Sequence, residues 1–269
     1  MNLYKREQKV YYNEANIDLI IGDSFEVLKN IKSKTVDMIF ADPPYFLSGD
    51  GITVSSGRMV SVKKADWDEK KDIKEKHKYN KEWIRKCKRI LKDNGSIWIS
   101  GTMHNIYSIG MALEESGFKI INNITWVKTN PPPNISCRAF THSTETILWA
   151  KKDLKKTKHL FNYQDMKALN GDKQMKDVWY TSLTKKSEKK FGKHPTQKPL
   201  EILERIILAS TKPGDIVLDP FNGSGTTGVA CKLHNRKFIG IDNKKDYLEI
   251  SSVRLSQQIS NLFVGKIIS

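Results

Sequence analysis

The chain is short of several things, and each shortage closes a class of explanation. No apolar run approaches the roughly 18 residues that a membrane-spanning helix needs, so no membrane association is expected. The opening stretch MNLYKREQKVYYNEA lacks the apolar centre of a secretory signal, which makes a cytoplasmic location the expectation. Only 3 cysteines are present, Cys87, Cys137 and Cys231, too scattered for a metal knuckle or a disulfide framework. A reducing compartment and no metal site are expected. There is no internal repeat and, lysine runs aside, no low-complexity tract. Acidic residues are in deficit: 46 Lys+Arg against 30 Asp+Glu give a net charge of +16 and an isoelectric point near 9.6. Such an excess favours a nucleic acid, because cations that neutralise phosphates release counterions. A solvated lysine-rich surface gives the same sum, so charge alone does not decide.

What is present is an alternation of strands and helices. With 269 residues, 38% hydrophobic content and a mean hydropathy of −0.52, the chain suits one large α/β domain carrying an insertion. IDLIIGD (17–23) reads as a strand, and SFEVLKNI as a helix that Ser24 can cap. TVDMIFA (35–41) is a second strand. NKEWIRKCKRILKDNG (80–95) reads as a helix capped by Asn80 and ended by Gly95, with Trp83, Ile84, Cys87 and Leu91 on one face. Strand SIWISG, helix NIYSIGMALEESG, strand FKIINNITWVK and strand TETILWAKK (144–152) follow. The pattern dissolves over 152–193 and returns with helix PLEILERIILAST (199–211), with Pro199 in its first turn. Strand DIVLDP, a glycine turn, helix TTGVACKLHN, strand KFIGID and a helix from about Asp246 complete the chain. This alternation predicts a mostly parallel sheet covered on both faces.

Two stretches carry chemistry. In VLDPFNGSGTTGVA (217–230), Gly223 and Gly225 allow a tight turn, and Thr226 or Thr227 opens a helix with free N–H groups. Asp242 ends the next strand, about 20 residues on, where an acid grips ribose hydroxyls in a Rossmann-like crevice. No lysine follows the glycines, which disfavours a triphosphate loop, and a dinucleotide would want G-x-G-x-x-G without an acid just before it. Asp219, just before the turn, repels pyrophosphate and suits a cation. S-adenosylmethionine fits, with an ammonium, a sulfonium and no phosphate.

The second stretch is IFADPPYF (39–46), a buried-looking strand that stops at an acid and two prolines. Proline fixes its own φ and donates nothing to a ladder, so Pro43 and Pro44 leave rigid, acceptor-only backbone at the strand tip. An exocyclic amine on a base is a poor nucleophile because its lone pair is delocalised. Two acceptors aimed at its N–H bonds favour a pyramidal nitrogen. Asp42 can supply one and the Pro43 carbonyl the other, while Tyr45 offers a face for an extruded base.

DPPY followed later by DPFNGSGTTG resembles the amino-methyltransferases that modify adenine or cytosine in DNA, in the motif order of their β group. GKHPTQKP (192–199) is similar to that group's further cofactor motif, IGDSFEVL (21–28) to its N-terminal element, and TNPPPN with RAFTHSTETILWAKK to its middle section. Within the group the chain is most like the second adenine methylase of GATC restriction–modification systems, a kind able to act on single strands. The resemblance covers nearly the whole chain. It implies a Rossmann-like methyltransferase fold with circularly permuted motif order and a small target-recognition insertion. It also implies that Asp42, Pro43, Pro44 and Tyr45 hold the target amine and base, and that Asp23 faces the cofactor adenine. Phe221, Gly223, Ser224, Gly225 and Thr226 would line its methionine and ribose, with Asp242 on the ribose hydroxyls and Thr196 and Lys198 near the methionine carboxylate. Aspartate at position 42 favours adenine, as a family tendency.

The expected organisation is one compact domain. Residues 1–151 form a catalytic half with a mobile loop over 46–68, 152–193 the target-recognition insertion, and 194–269 the cofactor half. The insertion interleaves lysines with Phe161, Tyr163, Trp179 and Tyr180, a pattern suited to phosphate contact and base stacking. His142 and Glu145 lack further ligands at useful spacing and read as hydrogen-bonding structure. DNA, double-stranded and also single-stranded, is the expected partner, and a homodimer stays open. The alternatives are a cytosine-N4 methyltransferase, a catalytically silent DNA-binding relative, and a methyltransferase of RNA or protein amides.

Overall fold

The computed structural model describes residues 3–46, 52–55, 58–61, 72–192 and 194–257. Its frame is a sheet of β1 (Val10–Glu14), β2 (Ile17–Ile21), β3 (Val36–Ala41), β6 (Leu91–Gly101), β7 (Phe118–Lys128), β8 (Thr144–Lys152), β9 (Val178–Thr181), β10 (Ile216–Asp219) and β11 (Lys237–Asp242). A separate hairpin pairs β4 (Ile52–Ser55) with β5 (Arg58–Ser61) inside the segment read as a mobile loop; apart from Phe46, the rest of that segment lies outside the described residues.

The sheet runs in the order β1-β2-β11-β10-β3-β6-β8-β7-β9. β2, β11, β10, β3 and β6 are mutually parallel neighbours, and antiparallel pairing is confined to β1 with β2 and to β8 with its two neighbours. Period-2 alternation in the central strands fills both faces. In β3, Ile39 and Ala41 face one layer while Met38 and Phe40 face the other. The first layer holds α1 (Ser24–Asn30), α2 (Ile73–Ile90) and α3 (Ile106–Glu115), with Trp83, Ile84 and Ile109 buried. The second holds α4 (Tyr163–Leu169), α5 (Leu200–Ser210), α6 (Thr226–Leu233) and α7 (Lys245–Ser256). No helix of the described residues is long and apolar enough to cross a membrane.

The position of the site follows from chain direction. From β10 the chain crosses through α6 to β11, and from β3 it crosses through α2 to β6, on the opposite side and the opposite face. β10 and β3 are hydrogen-bonded neighbours, Val217 opposite Met38 and Leu218 opposite Ile39. Their tips therefore flank the crevice where the sheet reverses its winding, the usual ligand position in open α/β sheets.

Three local readings are corrected. The cap of α1 is Asp23, which accepts from the Glu26 N–H at 3.1 Å, and Ser24 instead donates to the Pro220 carbonyl. The helix read from Asn80 begins a full two turns earlier, where Asp72 accepts from the Glu75 N–H at 2.8 Å. Asn80 is buried inside that helix, and its amide holds Asn105. Gly95 is not a helix cap: it lies within β6, where a Cβ would come 2.6 Å from the Asp37 carbonyl oxygen. β1, α4 and β9 carry signals too short or too polar to stand out in the sequence.

The lysine-rich stretch is less detached than its composition suggests. β9 pairs in parallel with β7 and closes the sheet edge. Trp179 is 5% exposed and packs near the stacked Trp98 and Trp149 rings, so it serves the core and not base stacking. Asn162 fastens the start of α4 to the end of α5 through the Leu208 and Thr211 carbonyls at 2.7 and 2.8 Å. Tyr180 stays exposed, with Phe161 and Tyr163 partly so.

Candidate active site

A cavity of about 350 Å3 opens at the tips of β3, β10 and β11, within the usual size range for a small-molecule site. Asp23, Thr196, Lys198, Asp219, Phe221, Gly223, Ser224, Thr226 and Asp242 line it, together with Asp42 and Pro44. Pro43, Tyr45 and Gly225 are not among the lining residues.

The glycine turn is held from three sides. Gly223, at φ 50°, donates its N–H to Asp242 Oδ2 at 2.8 Å, and a Cβ there would lie 3.0 Å from the His194 ring. Gly225, at φ 75°, has a packing duty: a Cβ would come 2.0 Å from Ser251 Oγ in α7. Arg254, also on α7 and buried, donates to the Ser224 carbonyl at 2.7 Å and to Thr226 Oγ1 at 2.9 Å. Nothing near Arg254 in the sequence marks it as a clamp on a loop some 30 residues away.

The charge of the cavity discriminates between ligands. Asp219 is buried and accepts from Thr227 Oγ1 at 2.6 Å and from the Phe221 N–H at 3.0 Å. Burial outweighs those bonds, and with Asp42 and Asp242 nearby it raises the Asp219 carboxyl to about 7. Burial likewise raises Asp242, against hydrogen bonds from the Lys244 and Gly223 N–H groups. Among the described lining residues the only basic ones are His194 and Lys198. Burial, with Lys198 close by, drives His194 down to about 4, so its ring is neutral at physiological pH. Lys198 is already engaged. Among the described residues a phosphate finds no available cation here, whereas an ammonium or sulfonium meets acidic side chains.

Lys198 belongs to the DPPY side of the cavity. Its ammonium lies 2.6 Å from Asp42 Oδ2, 2.6 Å from the Tyr45 hydroxyl and 3.5 Å from Glu145 Oε2. Tyr45 donates to Asp42 Oδ1, its ring is 6% exposed, and Lys198 sits 5.3 Å from the ring centroid. The ring thus offers no free face, and its hydroxyl is tied into the Asp42–Lys198 pair. A buried phenol must find partners, and Asp42 and Lys198 are the ones at hand. Burial raises the Asp42 carboxyl, with Lys198 opposing. Glu145, from the start of β8, also pairs with Lys128 at the end of β7 at 2.9 Å. Neither Lys128 nor Glu145 has a sequence signal that ties it to position 42; strand pairing alone brings them there. His142 is exposed and takes no part. The diproline is braced by Asn105, which donates to the Pro44 carbonyl at 2.9 Å and is held by Asn80 at 2.7 Å.

The doubly wound sheet and the acid-lined crevice at its switch point define an S-adenosylmethionine-dependent methyltransferase fold. The chain belongs to the DNA methylase family, whose model matches residues 36–253. It is 63% identical over 249 residues to the type II methyltransferase M2.LlaDCHI of Lactococcus lactis subsp. cremoris, covering 93% of each chain. It is 62% identical over 250 residues to the type II methyltransferase M2.DpnII of Streptococcus pneumoniae, again over 93% of each. Among solved structures, the complex of M1.HpyAVI with S-adenosylmethionine superposes with a TM-score of 0.67 at 34% identity, over 90% of this chain and 100% of that one. The protein is a DNA methyltransferase.

Proposed function

We propose that the enzyme moves a methyl group from S-adenosylmethionine to the exocyclic amine of adenine within a short site, GATC by the motif resemblance set out above, as the modification arm of a restriction–modification system. The observation that carries this reading is the adjacency of Asp42 and Asp219 on neighbouring strand tips. It sets two carboxylates on one cavity, which supports an amine acceptor beside a cation-binding acid. S-adenosylmethionine supplies an electrophilic methyl: the amine lone pair forms the N–C bond as the C–S pair returns to sulfur, which leaves a neutral thioether.

The chain's own residues bind and orient. Asp219 takes the methionine ammonium, Asp242 the ribose hydroxyls and Asp23 the adenine edge. Phe221, Gly223, Ser224 and Thr226 shape the wall between them, and Thr196 offers a hydroxyl to the methionine carboxylate. Asp42 and the Pro43 carbonyl accept the two N–H bonds of the target amine. Asp42 then takes the proton that the nitrogen sheds after transfer. Placement and charge account for most of such catalysis, because the displacement itself needs no protein nucleophile. The exposed lysines of 152–193, with Tyr180, Phe161 and Tyr163, serve the DNA backbone and bases. The work is cytoplasmic, where the DNA is.

The target amine is stacked in a duplex and must be extruded at a cost of a few kcal/mol, which a single strand avoids. The test supplies labelled cofactor with a GATC duplex, a scrambled duplex and the separated strands, then digests the product. N6-methyladenine from the GATC substrates is expected, with activity on single strands. N4-methylcytosine would overturn the adenine assignment, equal labelling of the scrambled duplex would overturn the GATC assignment, and silent single strands would overturn that substrate alone.

A further inference from the structure

The buried chain of charges behind Asp42 has one place left open. Lys198 has three N–H donors, and two are spent at 2.6 Å on Asp42 Oδ2 and the Tyr45 hydroxyl. The third faces Glu145 Oε2 at 3.5 Å, too long for a good hydrogen bond. That oxygen is buried and has no hydrogen-bond partner among the described residues. Its sister Oε1 is held at 2.9 Å by Lys128, so the carboxylate cannot turn away to water. A buried anionic oxygen left unsatisfied beside a lysine is costly, and a shift of the ammonium by under an ångström or so would satisfy it.

The same ammonium stands in the way of the reaction. Both Asp42 oxygens are engaged, one by Tyr45 and one by Lys198. A carboxylate neutralised by an ammonium is a poor acceptor for an amine and offers it little room. We infer that Glu145 is a positioning residue: it is the second seat for Lys198, which leaves Asp42 Oδ2 for Glu145 Oε2 when the target amine docks. Lys198 then stays paired throughout, Asp42 regains an acceptor for the amine, and Tyr45 is freed from one of its two anchors. Charge supports the seat. Burial pushes the Glu145 carboxyl up, but Lys198 and Lys128 outweigh it and keep the group anionic. Burial pulls Lys198 down, but Asp42 and Glu145 together hold it cationic. Glu145 does not line the cofactor cavity, so its part is confined to the amine side.

This inference rests on the proposed methyl transfer to DNA and deepens it. The test uses the full chain with S-adenosylmethionine and a GATC oligonucleotide under single-turnover conditions. Glu145→Gln keeps the shape and removes the charge that draws Lys198 away. We expect the transfer rate at saturating DNA to fall roughly 10- to 100-fold, the scale of one charge-assisted hydrogen bond, with cofactor affinity unchanged. Adding Lys198→Met to Glu145→Gln removes the ammonium that would then be locked on Asp42, so the double variant should be faster than Glu145→Gln alone. A merely structural Glu145 predicts the opposite, a double variant as slow or slower. Should Glu145→Gln fold poorly, a crystal structure of the unmodified enzyme with S-adenosylhomocysteine and the oligonucleotide reads the same point. The ammonium is expected on Glu145 Oε2, and an ammonium still on Asp42 beside a docked adenine would overturn the inference. A full rate in Glu145→Gln would overturn it too while leaving the methyltransferase reading intact. An unmodified enzyme silent on every DNA would sink both.

Discussion

Gly225 packs against Ser251 so closely that a Cβ on the glycine would lie 2.0 Å from the serine Oγ, and its φ of 75° already disfavours any L side chain. The contact joins the cofactor turn to α7. Gly225→Ala should therefore destabilise the fold by about 2–4 kcal/mol, adding overpacking to left-handed strain. Gly214, at φ 85° with nothing within 4 Å of its would-be Cβ, isolates the backbone contribution. Gly214→Ala is expected to cost only about 1–2 kcal/mol. Chemical denaturation of both variants checks the contrast, and equal losses would remove the packing role assigned to Ser251.

Asp42→Ala should lower methyl transfer roughly 100-fold or more, the scale seen when one oriented group at a reacting centre is removed. Cofactor affinity should hold within roughly threefold, since Lys198 keeps Glu145 as a partner and the glycine turn is untouched. Calorimetry and a transfer assay on the same preparation separate the two. Near-normal turnover would end the role given to Asp42.

Asp219 makes the cofactor-free protein pH-sensitive. Its folded value of about 7 lies above the ordinary 3.8, so the stability contribution is intact below the lower value and is lost as pH rises towards the upper one. Asp219→Asn should consequently gain stability over the natural chain at pH 8, by up to about 4 kcal/mol, with the gain vanishing near pH 4. Cofactor affinity of the natural chain should improve between pH 6 and 8, because the methionine ammonium favours the anion. Urea unfolding at both ends of the range checks the first point, and a pH-independent difference would show that Asp219 is not the group responsible.

DNA binding should weaken steeply with salt. A chain of net charge +16 that neutralises roughly five phosphates gives a slope of about −4 to −5 in log affinity against log salt. Fluorescence anisotropy on a GATC oligonucleotide from low to moderate salt measures it. A flat response would mark the lysines of 152–193 as solvated surface.

The sequence by itself determined the parts whose physics is local. The run VDMIFA followed by two prolines can only be a strand that stops, and the glycine turn before Thr226 can only open a helix, because φ restrictions and period-2 burial act within a few residues. The placement of Asp42, Asp219 and Asp242 at strand tips was legible for that reason. Helix ends were not: Asn80 and Gly95 look like caps, and tertiary packing overruled them, burying the first under α3 and pressing the second against the Asp37 carbonyl. Nor could composition reveal that Trp179 belongs to the core and its strand to the sheet edge. Only the tertiary structure made β3 and β10 neighbours, put Lys198 on Asp42, and brought Glu145 and Lys128 behind them. The physical reason is that a buried charge takes whatever partner the fold delivers within about 4 Å, and that delivery depends on strand order across the whole sheet.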